Sequence, residues 1–197
     1  MPPPLSLSVL RPVALALACA TALAAPARAF DGPEIEAPGA SEALRKDLRD
    51  ALLLTTLDKD ARADTATVLA TAQSDYVQLL DALYARGFYG AVISILIDGR
   101  EAATIAPFNA PDQIGEILIS VDPGPAFQFG EVSLAPLARG TVLPEGLHTG
   151  ARAEASRVRE GVSTALTDWR QQGNAKARVT AQDIAARHAD NTLDVNV

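Results

Sequence analysis

Cysteine, methionine and tryptophan each occur once in the 197 residues, histidine occurs twice, and aromatic residues make up only 5%. No apolar run is long enough to cross a bilayer as a helix, which needs about 20 residues. The longest candidate, Val13 to Ala25, follows Arg11 and precedes Ala27-Arg28-Ala29, a small-x-small site. A basic residue, a short apolar stretch and small residues in that order are an export signal. Residues 1–29 are therefore expected to be a signal peptide cleaved after Ala29. Cys19 raises a lipoprotein alternative, but Ala16-Leu17-Ala18 fit that site poorly and cleavage there would leave a stunted apolar region.

Cleavage would remove the only cysteine, leaving no disulfide, thiolate nucleophile or cysteine metal ligand in an oxidising compartment. It would also remove Arg11 and Arg28, leaving 15 basic against 24 acidic residues, a balance of −9. Such a chain is a poor match for nucleic acid or anionic headgroups. His148 and His188 lie 40 residues apart without a carboxylate pair at metal-ligand spacing, and read as exposed loop and strand histidines. Asp58, Asp60 and Asp64 lack the glycine and terminal glutamate of a calcium loop, and read as a solvated turn between helices. There is no Gly-x-Ser-x-Gly elbow and no phosphate-cradling Gly-Lys-Ser loop. The expectation is a protein that is not an enzyme, with no catalytic residue, no metal site and no cofactor.

What is present is periodicity. Residues 30–39, with Gly32, Pro33, Pro38 and Gly39, form a lead-in that can supply a first edge strand. Leu44, Leu48, Ala51 and Leu52 mark one face of a helix that Ser41 can cap. After a charged break at Asp58–Arg62, Asp64 or Thr65 opens a longer helix to Arg86, with Tyr76, Leu79, Leu80 and Leu83 in phase, and Gly87 ends it. Ala91, Ile93, Ile95 and Ile97 then alternate as a strand, Asp98-Gly99 turns, and Glu101 to Ile105 is expected to pair back. Ile114 to Val121 is a further strand, stopped by Asp122-Pro123-Gly124-Pro125. Phe127 to Leu134 is the next, kinked at Gly130. A loop with Pro136, Gly140, Pro144 and Gly146 leads to a helix over about 153–172, ended by Gly173. Lys176–Ala186 and Thr192–Val197 read as two strands turned by Ala189-Asp190-Asn191. Leu166, Trp169 and Gly173 stand where Leu80, Leu83 and Gly87 stand in the first half, so the chain is a repeat of one small unit.

Gly87-Phe88-Tyr89, the strand ending Ile97-Asp98-Gly99-Arg100, and Val121-Asp122-Pro123-Gly124-Pro125 followed by Phe127-Gln128-Phe129-Gly130-Glu131-Val132 resemble polypeptide-transport-associated (POTRA) domains of bacterial outer-membrane assembly proteins. Within that superfamily they are most similar to the subunit of the translocation and assembly module that serves autotransporters. The resemblance implies an α+β fold of tandem β-α-α-β-β units, each a three-stranded mixed sheet with two helices on one face. It divides the chain into residues 30–123 and 124–197, and places it on the periplasmic face of the outer membrane. The partners it implies are unfolded outer-membrane or autotransporter clients, an inner-membrane partner subunit and an outer-membrane barrel. No barrel strands follow Val197, so the sequence is expected to be a fragment whose second unit is truncated.

The resemblance and the physics of sheet edges point to the same role. A three-stranded sheet leaves edges whose free N–H and C=O groups can accept a client strand by β-augmentation. A pure spacer or partner-docking module is the alternative, as are the corresponding regions of a general barrel-assembly factor or a two-partner secretion transporter. The helical phase of Trp169 predicts a core residue, and Phe88 and Tyr89 are expected to pin the helix end to the sheet. Phe127 and Phe129 lie where the two units join, and their packing is expected to set the angle between them.

Overall fold

A computed structural model describes residues 32–197, so the expected signal peptide lies outside the described residues. The chain runs β1 (Glu34–Glu36), α1 (Glu42–Ala51), α2 (Lys59–Ala63), α3 (Thr65–Ala85), β2 (Val92–Ile97), β3 (Arg100–Glu101) and β4 (Ile117–Asp122). It continues through β5 (Gln128–Ser133), α4 (Ala155–Gln171), β6 (Asp183–Arg187) and β7 (Thr192–Asn196). Two mixed sheets result, ordered β1-β4-β2-β3 and β5-β7-β6.

The sheets share one topology, which is the structural form of the repeat. In each, the first strand pairs parallel with the last, and the last pairs antiparallel with the strand that follows the long helix, β2 in one and β6 in the other. The helix ends repeat as well. Phe88 N–H reaches Leu83 O and Gly87 N–H reaches Tyr84 O, each at 3.0 Å. Eighty-six residues later Asn174 N–H reaches Trp169 O at 3.0 Å and Gly173 N–H reaches Arg170 O at 3.1 Å. These are paired 6→1 and 5→2 bonds around a left-handed residue, at φ +80° for Gly87 and +92° for Gly173.

The start of α1 follows its sequence signal: the Ser41 side chain accepts from Leu44 N–H at 3.2 Å. The charged break is itself a short helix, α2, because Asp58 accepts from Ala61 N–H at 2.8 Å. The apolar faces of α1 and α3 meet over the first sheet, burying Leu44, Leu48, Leu69, Leu79 and Leu83 against Ile95, Ile97, Ile117 and Ile119.

Several bounds differ from expectation for local reasons. Glu101 to Ile105 pairs back only through Glu101; Ala102–Thr104 is a 3₁₀ turn, because Ala102 and Ile105 turn into the core. β4 begins at Ile117 because the Asp98 carboxylate takes the N–H groups of Gly115 and Glu116 at 3.0 and 2.9 Å. β6 begins at Asp183 and not at Lys176: Asp183 pairs with Asn196, and 176–182 make no ladder pairing. The Gly130 kink is a register shift between Phe129 and Val132, with Glu131 N–H given to Asp194 Oδ1 at 2.8 Å.

The second unit has one helix where the first has two on its sheet. The loop of residues 134–154 takes the place of the missing helix, burying Leu134, Leu147 and Ala153. It lies so close to α4 that a Cβ built on Gly161 would sit 2.5 Å from Leu147 Cδ2. Gly161→Ala is therefore expected to cost about 1–3 kcal/mol by overpacking, despite its better helix propensity. Urea unfolding of the variant measures it, and a gain in stability would show that the loop yields.

Candidate strand-docking edge

Four strands border the two sheets, and their outer sides are not alike. β1 offers three residues, two of them the charged Glu34 and Glu36, a composition that blunts an edge. β3 is two residues long and ends in a turn. Beside it, Ile95 N–H is taken by Glu101 Oε1 at 3.2 Å and Tyr76 Oη at 3.3 Å, while Ser94 Oγ donates to Glu101 Oε2 at 2.7 Å. Tyr76 also hydrogen-bonds Glu101, and burial together with that carboxylate pushes its phenol up to about 12. The edge of β2 is thus capped by the protein's own side chains.

β5 is covered by backbone. Phe129 N–H reaches Ala151 O and Gly150 N–H reaches Phe129 O, both at 2.7 Å, and Ala153 N–H reaches Phe127 O at 2.9 Å. β6 is longer than β1 and lacks the cover of β3 and β5. It pairs with β7 on one side only, and all five of its residues are exposed, Ile184 to 42%. The chain leading into it, 176–182, lies alongside α4 and makes no ladder pairing.

Two hollows flank this edge on its helix side. One, of about 600 Å³, lies between the C-terminal half of α4 and residues 176–181, with Leu166, Trp169 and Val179 in its wall. Trp169, expected in the core, is only half-buried here, and its indole N–H donates to Pro136 O at 2.9 Å. The reason is the missing first helix: Leu83, its counterpart, is buried completely under two helices. The other hollow, of about 520 Å³, lies where the units meet and is lined by Tyr84, Tyr89, Val158, Arg159, Ile184 and His188, among others.

The junction holds the second hollow in shape. Phe127 N–H donates to Gly87 O at 2.8 Å and Arg152 Nε to Arg86 O at 2.7 Å, tying the end of α3 to the second unit. Phe88 turns into the first core beneath the Arg152 guanidinium, 4.8 Å from its ring, whereas Tyr89 turns into the second core. Adjacent side chains therefore enter different cores, which joins the units more tightly than pinning one helix end. Tyr84 stacks on Tyr89 at 4.9 Å, Tyr89 meets Phe127 edge-on at 5.5 Å, and Phe127 meets His188 at 5.3 Å. Burial pushes the Tyr89 phenol up to about 12, against the pull of Arg159, so it stays a donor; its buried hydroxyl has no hydrogen-bond partner.

The other singled-out residues take quieter places. His148 is exposed, with Nδ1 3.0 Å from Thr149 O, and His188 is an exposed ring on Phe127. Asp58 and Asp64 cap α2 and α3, and Asp60 lies in the first turn of α2. Among the described residues no group of three or more His, Cys, Asp or Glu is placed to hold a metal, and no helix is long and apolar enough to cross a membrane. The free edge of β6 was not legible in the sequence, where the strand looked as regular as its neighbours.

No family model and no curated protein matches the chain. Among solved structures, POTRA1-2 of the periplasmic domain of Omp85 from Anabaena aligns with 84% of this chain and 91% of its own, at 14% identity and a TM-score of 0.42. POTRA1-3 of the same periplasmic domain aligns over 85% of this chain at 11% identity and a TM-score of 0.41, and the chain spans 59% of its length.

Proposed function

We propose that this chain is a periplasmic, non-catalytic module of an outer-membrane protein assembly factor, built from two POTRA-like domains at 30–123 and 124–197, and that it holds unfolded clients by β-augmentation. The observation that carries the reading is the outer edge of β6, five exposed residues paired on one side only. An extended client can complete that ladder through its backbone, which tolerates many sequences. Each contact is weak because ordering a flexible chain offsets much of the gain, and weak contacts permit handover. The autotransporter branch of the family rests on the resemblance of residues 121–132 and their neighbours. In that setting an inner-membrane subunit and a barrel are the standing partners, and clients the transient ones.

The test is a titration of the isotopically labelled chain with an uncharged extended peptide of alternating valine and threonine, followed by amide shifts. Saturable shifts on Asp183–Arg187, with β1 and β3 unmoved, are expected at peptide concentrations up to about 1 mM. No shift on β6 at that concentration would remove the reading. The tight junction between the units also suits a spacer that presents a fixed angle to a partner. Affinity capture from periplasm separates the two: one stoichiometric partner means a spacer, many substoichiometric unfolded proteins mean client holding.

A further inference from the structure

The first unit carries its own occupant at the position that is open in the second. Beside β2, Glu101 pairs with Leu96 and caps Ile95 N–H. Ala102 and Ile105 are buried at 0% and 2%. Gln73 of α3, ten residues before Leu83, holds the segment by donating to Ala102 O at 2.9 Å and Ile105 O at 2.8 Å. A carboxylate and aliphatic side chains spaced over five residues thus close the edge and the side of the helix together.

In the second unit no segment returns along β6, because the hairpin turns directly through 188–191 into β7. Ile184 and Ala186 are left exposed beside the hollow of about 520 Å³. Ten residues before Trp169, where the first unit has Gln73, stands Arg159. It lines the hollow and makes no hydrogen bond or ion pair among the described residues. Tyr89 lines the same wall, with its own hydroxyl buried. No acidic side chain lines the hollow, in a chain of net charge −7.

We propose that this hollow takes an extended acidic–aliphatic segment of a client chain, a supplied counterpart of Glu101–Ile105. Its carboxylate meets the exposed Arg159, the charge-assisted pairing that a guanidinium favours. Its aliphatic side chains cover Ile184 and Ala186 as Ala102 and Ile105 cover the first core. Its backbone runs along β6, so the inference rests on the edge reading above and adds the chemistry of what is chosen there.

The experiment uses the labelled chain and two eight-residue peptides, one copying residues 99–106 with alanine in place of Arg100, and one that also has lysine in place of the glutamate. The acidic copy is expected to shift Ile184, Ala186, His188 and the Arg159 side chain, and to bind about tenfold more tightly than the lysine copy, since like charges at a contact are strongly disfavoured. Arg159→Glu, an exposed substitution that leaves the core intact, is expected to reverse that order. Equal binding of both peptides along β6 would keep the edge reading and overturn the acidic selectivity. No binding of these or of the uncharged peptide would overturn both. Self-association of the chain that is lost in Arg159→Glu would instead identify a second copy as the occupant and overturn a client segment.

Discussion

Asp75→Ala is expected to lower the stability of the first unit by about 3–5 kcal/mol, the largest single-residue loss that the described polar contacts predict. Asp75 lies on α3, is fully buried, and is the only buried charged residue among those described. One carboxylate oxygen accepts from Leu53 N–H at 2.8 Å and the other from Leu54 N–H at 3.2 Å. Those two groups open the 3₁₀ turn Leu53–Thr56, whose N-cap, Leu52, has no side chain to offer them. The carboxylate thus acts as a cap from 21 and 22 residues away and fastens the link after α1 to α3. Truncation leaves two backbone donors without an acceptor, at about 1–3 kcal/mol each where water cannot reach, plus a small void. For a chain of this size that corresponds to a fall in Tm of roughly 10 °C, read by calorimetry. A loss under about 1 kcal/mol would mean that the turn finds other acceptors.

The same residue makes stability depend on pH. Burial holds the Asp75 carboxyl above the usual carboxylate range, and the two backbone donors only partly oppose it. The native state therefore binds its proton more tightly than the unfolded chain does. Its contribution is complete below the unfolded value, about 3.9, and is lost as pH rises through the raised native value. Asp75→Asn has no such component. The stability difference between the native sequence and Asp75→Asn should accordingly shrink as pH rises above about 4 in parallel denaturant titrations. A difference that grows instead would mean that the hydrogen bonds outweigh desolvation.

Phe127→Ala is the second large expectation, and it separates stability from geometry. Phe127 and Phe129 are both buried completely or nearly so in the second core, and either truncation should cost about 3–5 kcal/mol. Only Phe127 also touches Tyr89 across the junction, with His188 of its own unit against its other side. Phe127→Ala is therefore expected to loosen the angle between the units, while Phe129→Ala leaves it unchanged. Residual dipolar couplings measured for the two sheets separately report that angle. An angle unchanged in both variants would show that the hydrogen bonds to Gly87 O and Arg86 O fix it without the Phe127 ring. A loosened junction should also weaken the acidic peptide, because Tyr89 and His188 form part of its hollow.

The elements themselves were written in local chemistry. The alternation of Ile93, Ile95 and Ile97, the Ser41 and Asp64 caps and the glycines at 87 and 173 depend on neighbours a few residues away, and all appear where the pattern places them. The repeat was legible for the same reason, since two copies of one helix end carry one set of backbone bonds. Trp169 shows the limit: its helical phase is that of a core residue, yet burial also needs a second layer, and the second unit lacks the helix that covers Leu83.

The sequence by itself determined the α+β units, their order and their internal equivalence, because backbone bonding and side-chain periodicity are local. Only the tertiary structure decided which edge is open. Glu101, Tyr76 and Ser94 close one edge, residues 150–153 close another, and β6 is left bare. An edge is free when nothing distant in the chain returns to it, and no window of sequence shows what fails to return.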